Sequence, residues 1–297
     1  VDNLDFRSGF VTIWGQPNVG KSTFLNYVLG HKVAIVSSKP QTTRRVIKGI
    51  LNLDQAQIVF LDTPGLHSPR DDFGRWMVQE AQKALEGVDA LLYMIAPPLR
   101  EEEDQKYLNS LRSFSGPVFL VLNKKDLLQE GEVQEILSRF SSLFPFQGKG
   151  AVSSITGEGI SDLISQIVEV LPPGSPYYER GILSDALERD IVAEIIREKI
   201  WWYTYQEVPY SAEVRVEEFK DRGEVLYIKA IIYVERDSHK GIIIGKEGKM
   251  LKKIGEEARK EIELNWGKKV YLDLWVKVEK NWKKKPAVLR RWGYSLK

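Results

Sequence analysis

Cysteine is absent from the 297 residues, and histidine occurs only at positions 31, 67 and 239. The first absence excludes disulfides and thiolate metal sites and makes a reducing cytoplasm the default compartment. The second leaves imidazoles too few and too scattered for a zinc centre. No apolar run approaches the roughly 20 residues needed to cross a bilayer. The opening Val1-Asp2-Asn3-Leu4-Asp5 lacks a basic-then-apolar profile, so no signal peptide is expected. Internal repeats and low-complexity tracts are missing too.

What is present is a globular composition, 43% hydrophobic and 28% charged, long enough for two ordinary domains. The net charge of +2 conceals an asymmetry. Residues 239–297 hold 17 Lys/Arg against 7 Asp/Glu, and the preceding 238 residues hold 26 against 34. A basic end on an acidic chain suits a polyanion, either nucleic acid or a membrane surface; a solvated lysine-rich tail is the bland alternative.

Short apolar runs at Phe10–Trp14, Ile58–Leu61, Ala90–Ile95, Val118–Leu122 and Ala151–Val152 have the length and branching of buried strands. Helical spacing marks Glu101–Ser113, Glu132–Phe144 and Ile160–Leu171. Such alternation predicts an α/β domain, a mostly parallel sheet with helices on both faces, over residues 1–174. Leu171-Pro172-Pro173-Gly174-Ser175-Pro176 ends the last helix, and residues 175–183 read as a linker. Residues 184–297 then read as a small α+β domain. A helix near Ser184–Trp201 leads to strands near Glu213–Phe219 and Val225–Val234. A glycine-rich turn, a helix at Lys249–Glu263, a strand at Val270–Val278 and a basic tail follow.

The first strand runs into Gly15-Gln16-Pro17-Asn18-Val19-Gly20-Lys21-Ser22-Thr23, a G-x-x-x-x-G-K-[ST] phosphate loop opening a helix. Its backbone N–H groups and helix N-terminus suit phosphate, Lys21 the β- and γ-phosphates, and the Ser22 hydroxyl Mg²⁺. Asp62-Thr63-Pro64-Gly65 closes the second apolar run; Asp62 can hold Mg²⁺ through water, and the Gly65 N–H can bond the γ-phosphate. Asn123-Lys124-Lys125-Asp126 fits N-K-x-D. The Asp126 carboxylate can accept from guanine N1–H and N2–H₂, where adenine offers no such pair, while Lys124 covers the ring and Asn123 braces the loop. Ser153-Ser154-Ile155 offers a backbone N–H to guanine O6. GTP or GDP with Mg²⁺ is therefore the expected cofactor pair.

In this order, each at the end of an apolar run, these motifs resemble the translation-factor-related GTPases. That resemblance implies that a threonine of Pro40-Gln41-Thr42-Thr43-Arg44 ligates Mg²⁺, Thr43 as the better match and Thr42 as the alternative, alongside Ser22 and Asp62. It also makes Lys21, Thr43, Gly65 and Asn18 the candidate catalytic residues. Ras-like members place a water-orienting glutamine after D-x-x-G, whereas Leu66 stands here, so slow intrinsic hydrolysis is expected. Asn18 matches the potassium-binding asparagine of the similar GTPase TrmE, which makes K⁺ a further candidate cofactor; a loop-shaping role is the alternative.

In the second half, Gly241-Ile242-Ile243-Ile244-Gly245-Lys246-Glu247-Gly248-Lys249 contains I-I-G-x-x-G, with Lys252 and Lys253 nearby. The helix–strand–strand–helix–helix–strand order matches a type II KH domain, whose G-x-x-G turn lets an RNA backbone approach closely. Trp282, Lys283 and Lys284 suit base stacking with phosphate contact. Core packing competes for Trp282 and Trp292, and Trp201, Trp202, Trp266 and Trp275 are assigned to core or half-buried positions.

A GTPase domain joined to such a KH domain, with Gln41-Thr42-Thr43-Arg44 between, closely resembles the Era family across nearly the whole chain. One departure is Ser154, where alanine is usual. The resemblance implies a cytoplasmic factor that binds the 3′ end of small-subunit ribosomal RNA, associates with the pre-30S particle and assists small-subunit assembly, with a monomer and no DNA partner expected. Peripheral association with the inner membrane face is a further expectation. A membrane-surface GTPase using the basic tail, or a metabolic or modifying GTPase, are the competing readings; no nucleophile, metal cluster or second cofactor motif supports the last.

Overall fold

A computed structural model of the chain describes residues 6–37, 42–66, 69 and 71–294. Pro40, Gln41 and His67 lie outside the described residues. The chain forms two compact units, one of residues 6–34, 42–66 and 74–185, the other of 35–37, 71–73 and 186–294.

In the first unit the elements run β1 (Arg7–Gly15), α1 (Lys21–Leu29), β2 (Ile47–Asn52), β3 (Ala56–Asp62), α2 (Asp72–Lys83), β4 (Ala90–Ile95), α3 (Glu101–Ser110), β5 (Val118–Leu122), α4 (Glu130–Ser141), β6 (Gly148–Ala151) and α5 (Ile160–Val170). The sheet order is β2-β3-β1-β4-β5-β6. All pairings are parallel except β2 with β3. Burial on both faces explains the continuous apolar strands. On one face Ile13, Leu92 and Val121 pack with Phe24, Leu163 and Ile167 of α1 and α5. On the other, Leu91, Tyr93, Leu120 and Leu122 pack with Leu108, Leu137 and Phe140 of α3 and α4. Strands β3 and β4 flank β1 on opposite sides, so chain direction across the sheet reverses at β1, the position where open α/β sheets bind ligands beyond their strand ends.

Residues 172–185 are laid along this unit rather than free. Ser8 N donates to Pro172 O at 3.1 Å, Gly174 N to Phe6 O at 2.9 Å and Ile50 N to Leu183 O at 2.8 Å. The Gln57 side chain donates to Tyr178 O at 2.8 Å and accepts from Tyr178 N at 3.0 Å. The proline- and glycine-rich segment therefore acts as a strap.

The second unit contains α6 (Glu188–Tyr203), α7 (Val208–Ser211), β7 (Glu213–Asp221), β8 (Val225–Val234), α8 (Asp237–Ile244), α9 (Lys249–Trp266), β9 (Lys269–Val278) and α10 (Pro286–Arg291). Its sheet order is β7-β8-β9, antiparallel then parallel. Ile228 and Ile232 of β8 pack with Val192 and Ile196 of α6, Ile243 of α8, and Ile254, Ala258 and Ile262 of α9. The tryptophans divide partly against expectation: Trp201, Trp266 and Trp292 are buried or half-buried in keeping with the packing readings, while Trp202, Trp275 and Trp282 are not placed as expected. Trp201, Trp282 and Trp292 are buried, whereas Trp202 and Trp275 are exposed. Among the described residues no helix is long and apolar enough to cross a membrane.

Candidate GTP site and RNA-facing groove

The loop after β1 folds back on its own lysine. Lys21 is buried, and its Nζ donates to Gly15 O at 3.0 Å and Gln16 O at 2.9 Å. Burial pulls its pKa down to about 8, with nearby Asp62 acting in the opposite sense. Ser22, Thr43 and Asp62 come together beside it. Ser22 Oγ lies 2.9 Å from Thr43 Oγ1 and donates to Asp62 Oδ2 at 2.5 Å. Thr42 is also buried, but the hydroxyl that meets Ser22 is that of Thr43. Asp62 is wholly buried, and desolvation raises its pKa to about 6 against the pull of Lys21. Its Oδ1 has no hydrogen-bond partner. A buried carboxylate oxygen without a partner, next to two hydroxyls, is the hard-oxygen set that Mg²⁺ accepts.

Thr63 donates its hydroxyl to Ile13 O at 2.7 Å, so it ties the Asp62 loop to β1. Gly65 lies hard against the phosphate loop; a Cβ there would come within 2.8 Å of Pro17 Cα and 2.9 Å of Pro17 N. Backbone atoms cannot yield cheaply, so the close approach requires glycine. The Leu66 side chain is buried in the core, and its N–H donates to Gly15 O at 3.3 Å.

The residues expected to read the base form one network with the phosphate loop. Asn123 Nδ2 donates to Val19 O at 2.8 Å. Asn123 Oδ1 accepts from Ser154 N at 3.1 Å and Ser154 Oγ at 2.8 Å. The serine at 154 thus adds a hydrogen bond that alanine could not make. Ser153 Oγ donates to Asp126 Oδ1 at 2.6 Å, leaving the rest of an exposed carboxylate available. Lys124 is half-buried with φ 63°, and burial lowers its pKa against the raising effect of Asp126. Ile155 is exposed. A recess of about 230 Å³ beside the loop is lined by Pro17, Asn18, Pro98, Arg100 and Lys124 among others.

In the second unit, the turn between α8 and α9 places Gly245 at φ 72° and Gly248 at φ 75°, a left-handed backbone that side chains disfavour. Next to it lies a groove of about 400 Å³ between α9 and β9, lined by Gly248, Leu251, Lys252, Gly255, Arg259 and Leu272, among others. Lys246, Lys249 and Lys252 are exposed around it, Lys249 pairing with Glu247 at 2.9 Å. Two residues expected to face RNA, Ile243 and Trp282, are placed otherwise. Ile243 is buried in the core. Lys253, by contrast, is exposed, its Nζ 4.1 Å from the Tyr203 ring. Trp282 is fully buried, donates Nε1–H to Ser211 O at 2.9 Å and packs against Trp292 at 5.3 Å. A satisfied indole inside a core has no face for a base, so Trp282 is corrected to a packing residue. Sequence reasoning missed Leu251, Gly255, Arg259, Leu272 and Leu274. The signals were the i, i+4, i+8 stripe Leu251-Gly255-Arg259 and the alternation in β9.

The fold and site define a P-loop GTPase domain followed by a KH domain. A family model described as "50S ribosome-binding GTPase" matches residues 10–124, and one described as "KH domain" matches residues 207–283. The chain is 45% identical to GTPase Era of Carboxydothermus hydrogenoformans, over 98% of this chain and 99% of that protein. It is 47% identical to GTPase Era of Geobacter metallireducens, over 98% of each. Two crystal structures match at TM-score 0.94 and 39% identity, each over 98% of this chain and all of theirs. One is Era with MgGDPNP and nucleotides 1506–1542 of 16S ribosomal RNA, the other an Aquifex aeolicus Era variant bound to GDP·AlF4⁻. The chain belongs to the Era family of GTPases. It hydrolyses GTP, and its cofactors are GTP or GDP and Mg²⁺. When bound, Mg²⁺ neutralises charge on the β- and γ-phosphate oxygens.

Proposed function

We propose that this GTPase is a nucleotide-controlled RNA-binding factor. It acts in the cytoplasm as a monomer, on the 3′ end of small-subunit ribosomal RNA in the pre-30S particle, and assists assembly of the small ribosomal subunit; no DNA partner is involved. The observation that carries this reading is the left-handed Gly245–Gly248 turn opening onto the groove between α9 and β9, in the chain that also holds the GTP site. A KH groove of this kind takes about four unpaired nucleotides. The complex of the 39%-identical Era with nucleotides 1506–1542 of 16S ribosomal RNA supports the choice of RNA.

In the GTP site Lys21 meets the β- and γ-phosphates, while Ser22, Thr43 and Asp62 hold Mg²⁺ directly or through water. The Gly65 N–H contacts the γ-phosphate, and Asp126, Lys124, Asn123 and the Ser153–Ile155 backbone read guanine. The buried Leu66 cannot orient water, so intrinsic turnover is slow. Asn18, exposed in the loop at φ 66°, instead brings K⁺ to the developing charge. Turnover in KCl is expected to exceed that in NaCl by about tenfold or more; equal rates would remove K⁺ from the scheme.

Replacing Lys246 and Lys252 by glutamate tests the groove. RNA affinity is expected to fall. The slope of log K against log salt should shrink by about 0.7 for each phosphate that the protein no longer engages. An unchanged slope and affinity would contradict the groove reading. The membrane-surface alternative draws on the basic tail, where Lys283 pairs with Glu235, and Lys285 and Arg291 pair with Glu279; lipid binding would need no glycine turn opening onto a groove.

A further inference from the structure

Strand β9 has two uses. Its even-numbered Leu272 and Leu274 line the groove beside α9. Its odd-numbered residues point to the opposite face of the sheet, since neighbours in a strand alternate. On that opposite face Tyr271 and Trp275 are 61% and 55% exposed. Register aligns Tyr271 with Tyr227 of β8, and the two rings stack at 5.6 Å with planes 9° apart. The Arg222 guanidinium lies over the Tyr227 ring at 4.7 Å. The outer face of Tyr271 is left open. Trp275 Nε1–H donates to Asp273 Oδ2 at 3.0 Å, which fixes the indole plane without covering it. Tyr271 and Trp275 are four residues apart on one strand, hence about 13 Å apart, with Asp273 between them on the same face, so each ring offers its open face to a separate base.

The charges around these rings favour a polyanion. Register puts Arg215, Lys220 and Lys229 on the outward face of β7 and β8, with Lys269 and Lys277 on that of β9. The acidic residues among them are Glu213, Glu218 and Asp273, with Glu217 at the β7 bulge; Arg215 lies 4.0 Å from Glu213 and Lys229 3.9 Å from Glu217, while Lys269 and Lys277 flank the two rings on β9. Glu213 accepts from Tyr294 Oη, and Glu218 is engaged by Lys220. Open aromatic faces set among surplus cations are the pattern by which proteins hold single-stranded nucleic acid. The groove and this face meet along β9, so a strand leaving the groove passes onto Tyr271 and Trp275.

We propose that the outward face of the β7-β8-β9 sheet is a second single-stranded RNA contact, where Tyr271 and Trp275 stack bases that flank the segment held in the groove. The proposal rests on the RNA reading above. Both side chains lie outside the core, so their removal spares folding, and they are remote in sequence from the GTP motifs.

The test uses the full chain and two labelled RNAs, one of four nucleotides that fills the groove alone and one of about twelve from the 3′ end of 16S ribosomal RNA. Tyr271→Ala and Trp275→Ala are each expected to weaken the longer RNA about tenfold. The shorter RNA, GTP turnover and melting temperature should be unchanged, and Trp275→Phe should keep most of the affinity. Longer RNA should also quench the fluorescence of Trp275, read as the difference between wild type and Trp275→Phe. Equal affinity of wild type and variants for the longer RNA would overturn the proposal, as would equal weakening of both RNAs. So would loss of self-association by the variants with RNA affinity intact, which would make this face a protein contact. Failure of the wild type to bind either RNA would instead sink the RNA reading itself.

Discussion

Asp126→Asn is expected to weaken GTP binding by about 10²- to 10⁴-fold and to shift the site toward xanthosine triphosphate. The carboxylate is held by the Ser153 hydroxyl at 2.6 Å, and it can accept two hydrogen bonds from the guanine edge. Hydrogen bonds to a charged group contribute about 1.5–3 kcal/mol each. Losing one, weakening the other by removing its charge and leaving a guanine donor unpaired together cost about 3–6 kcal/mol, which corresponds to that fall in affinity. Asparagine keeps one acceptor but turns an N–H₂ toward a guanine donor, so a mispaired contact replaces a favourable one. Xanthine carries a carbonyl where guanine carries its amino group, and that carbonyl can accept from the new amide. Competition titrations with GTP, ATP and XTP check this. A variant that binds GTP within threefold of wild type would show that another group reads the base.

Lys21→Ala is expected to reduce single-turnover hydrolysis by about 10³-fold or more, a barrier increase of about 4 kcal/mol. The lysine lies inside a loop whose carbonyls, Gly15 O and Gln16 O, it already engages. Its ammonium is poorly solvated there, as its lowered pKa shows, so bound phosphate supplies the charge partner that burial withholds. A fixed ammonium at the β- and γ-phosphates follows charge as it develops, and no solvent reorganisation is required. The neutral side chain also leaves Gly15 O and Gln16 O without a donor. Near-normal single-turnover rates at saturating GTP would place the catalytic charge elsewhere.

Much of this site is legible in the sequence because its chemistry is local. The strand–loop–helix around Lys21, the turn after Asp62 and the N-K-x-D segment each sit at a strand end, as their spacing predicts. What the sequence does not show is how they join. Asn123 is joined to both Val19 and Ser154 across more than a hundred and about thirty positions, respectively. That the Thr43 hydroxyl reaches Ser22 is likewise seen only in the structure. Strand β2 escapes pattern reading because Ile47–Asn52 is half-buried and antiparallel, with no long apolar run to mark it. Helix α2 carries the amphipathic spacing Phe73, Trp76, Met77 and Ala81, but it follows closely on the Asp62 loop, whose turn chemistry masks its start.

The second unit shows the limits of pattern more sharply. Its strands lie within two residues of their expected positions, since alternation survives wherever one face is buried. Trp201, Trp266 and Trp292 are buried or half-buried, in keeping with the packing readings, but Trp202, Trp275 and Trp282 depart from expectation, Trp282 because basic neighbours suggest exposure whatever the ring does. Trp282 stands beside three lysines yet donates to Ser211 O from inside the core, while Trp275, on an alternating strand, faces out. Helix α6 buries charge that no periodicity announces: Arg197, Glu198 and Lys199 are all buried. Lys199 is held there by Glu198 at 3.0 Å and by Glu261, pairs that make interior charge tolerable.

The central claim is that one chain couples a guanine nucleotide to RNA, and thermodynamic linkage makes it measurable in both directions. The direct test is to titrate the 3′-terminal ribosomal RNA segment into the protein loaded with a GTP analogue and with GDP, then to measure both nucleotide affinities with and without RNA. The predicted result is a ratio of RNA affinities of about five or more between the two loaded forms, a coupling on the order of 1 kcal/mol. The same factor should return in the nucleotide affinities. Ratios of one in both directions, with RNA and nucleotide each bound tightly, would contradict the account.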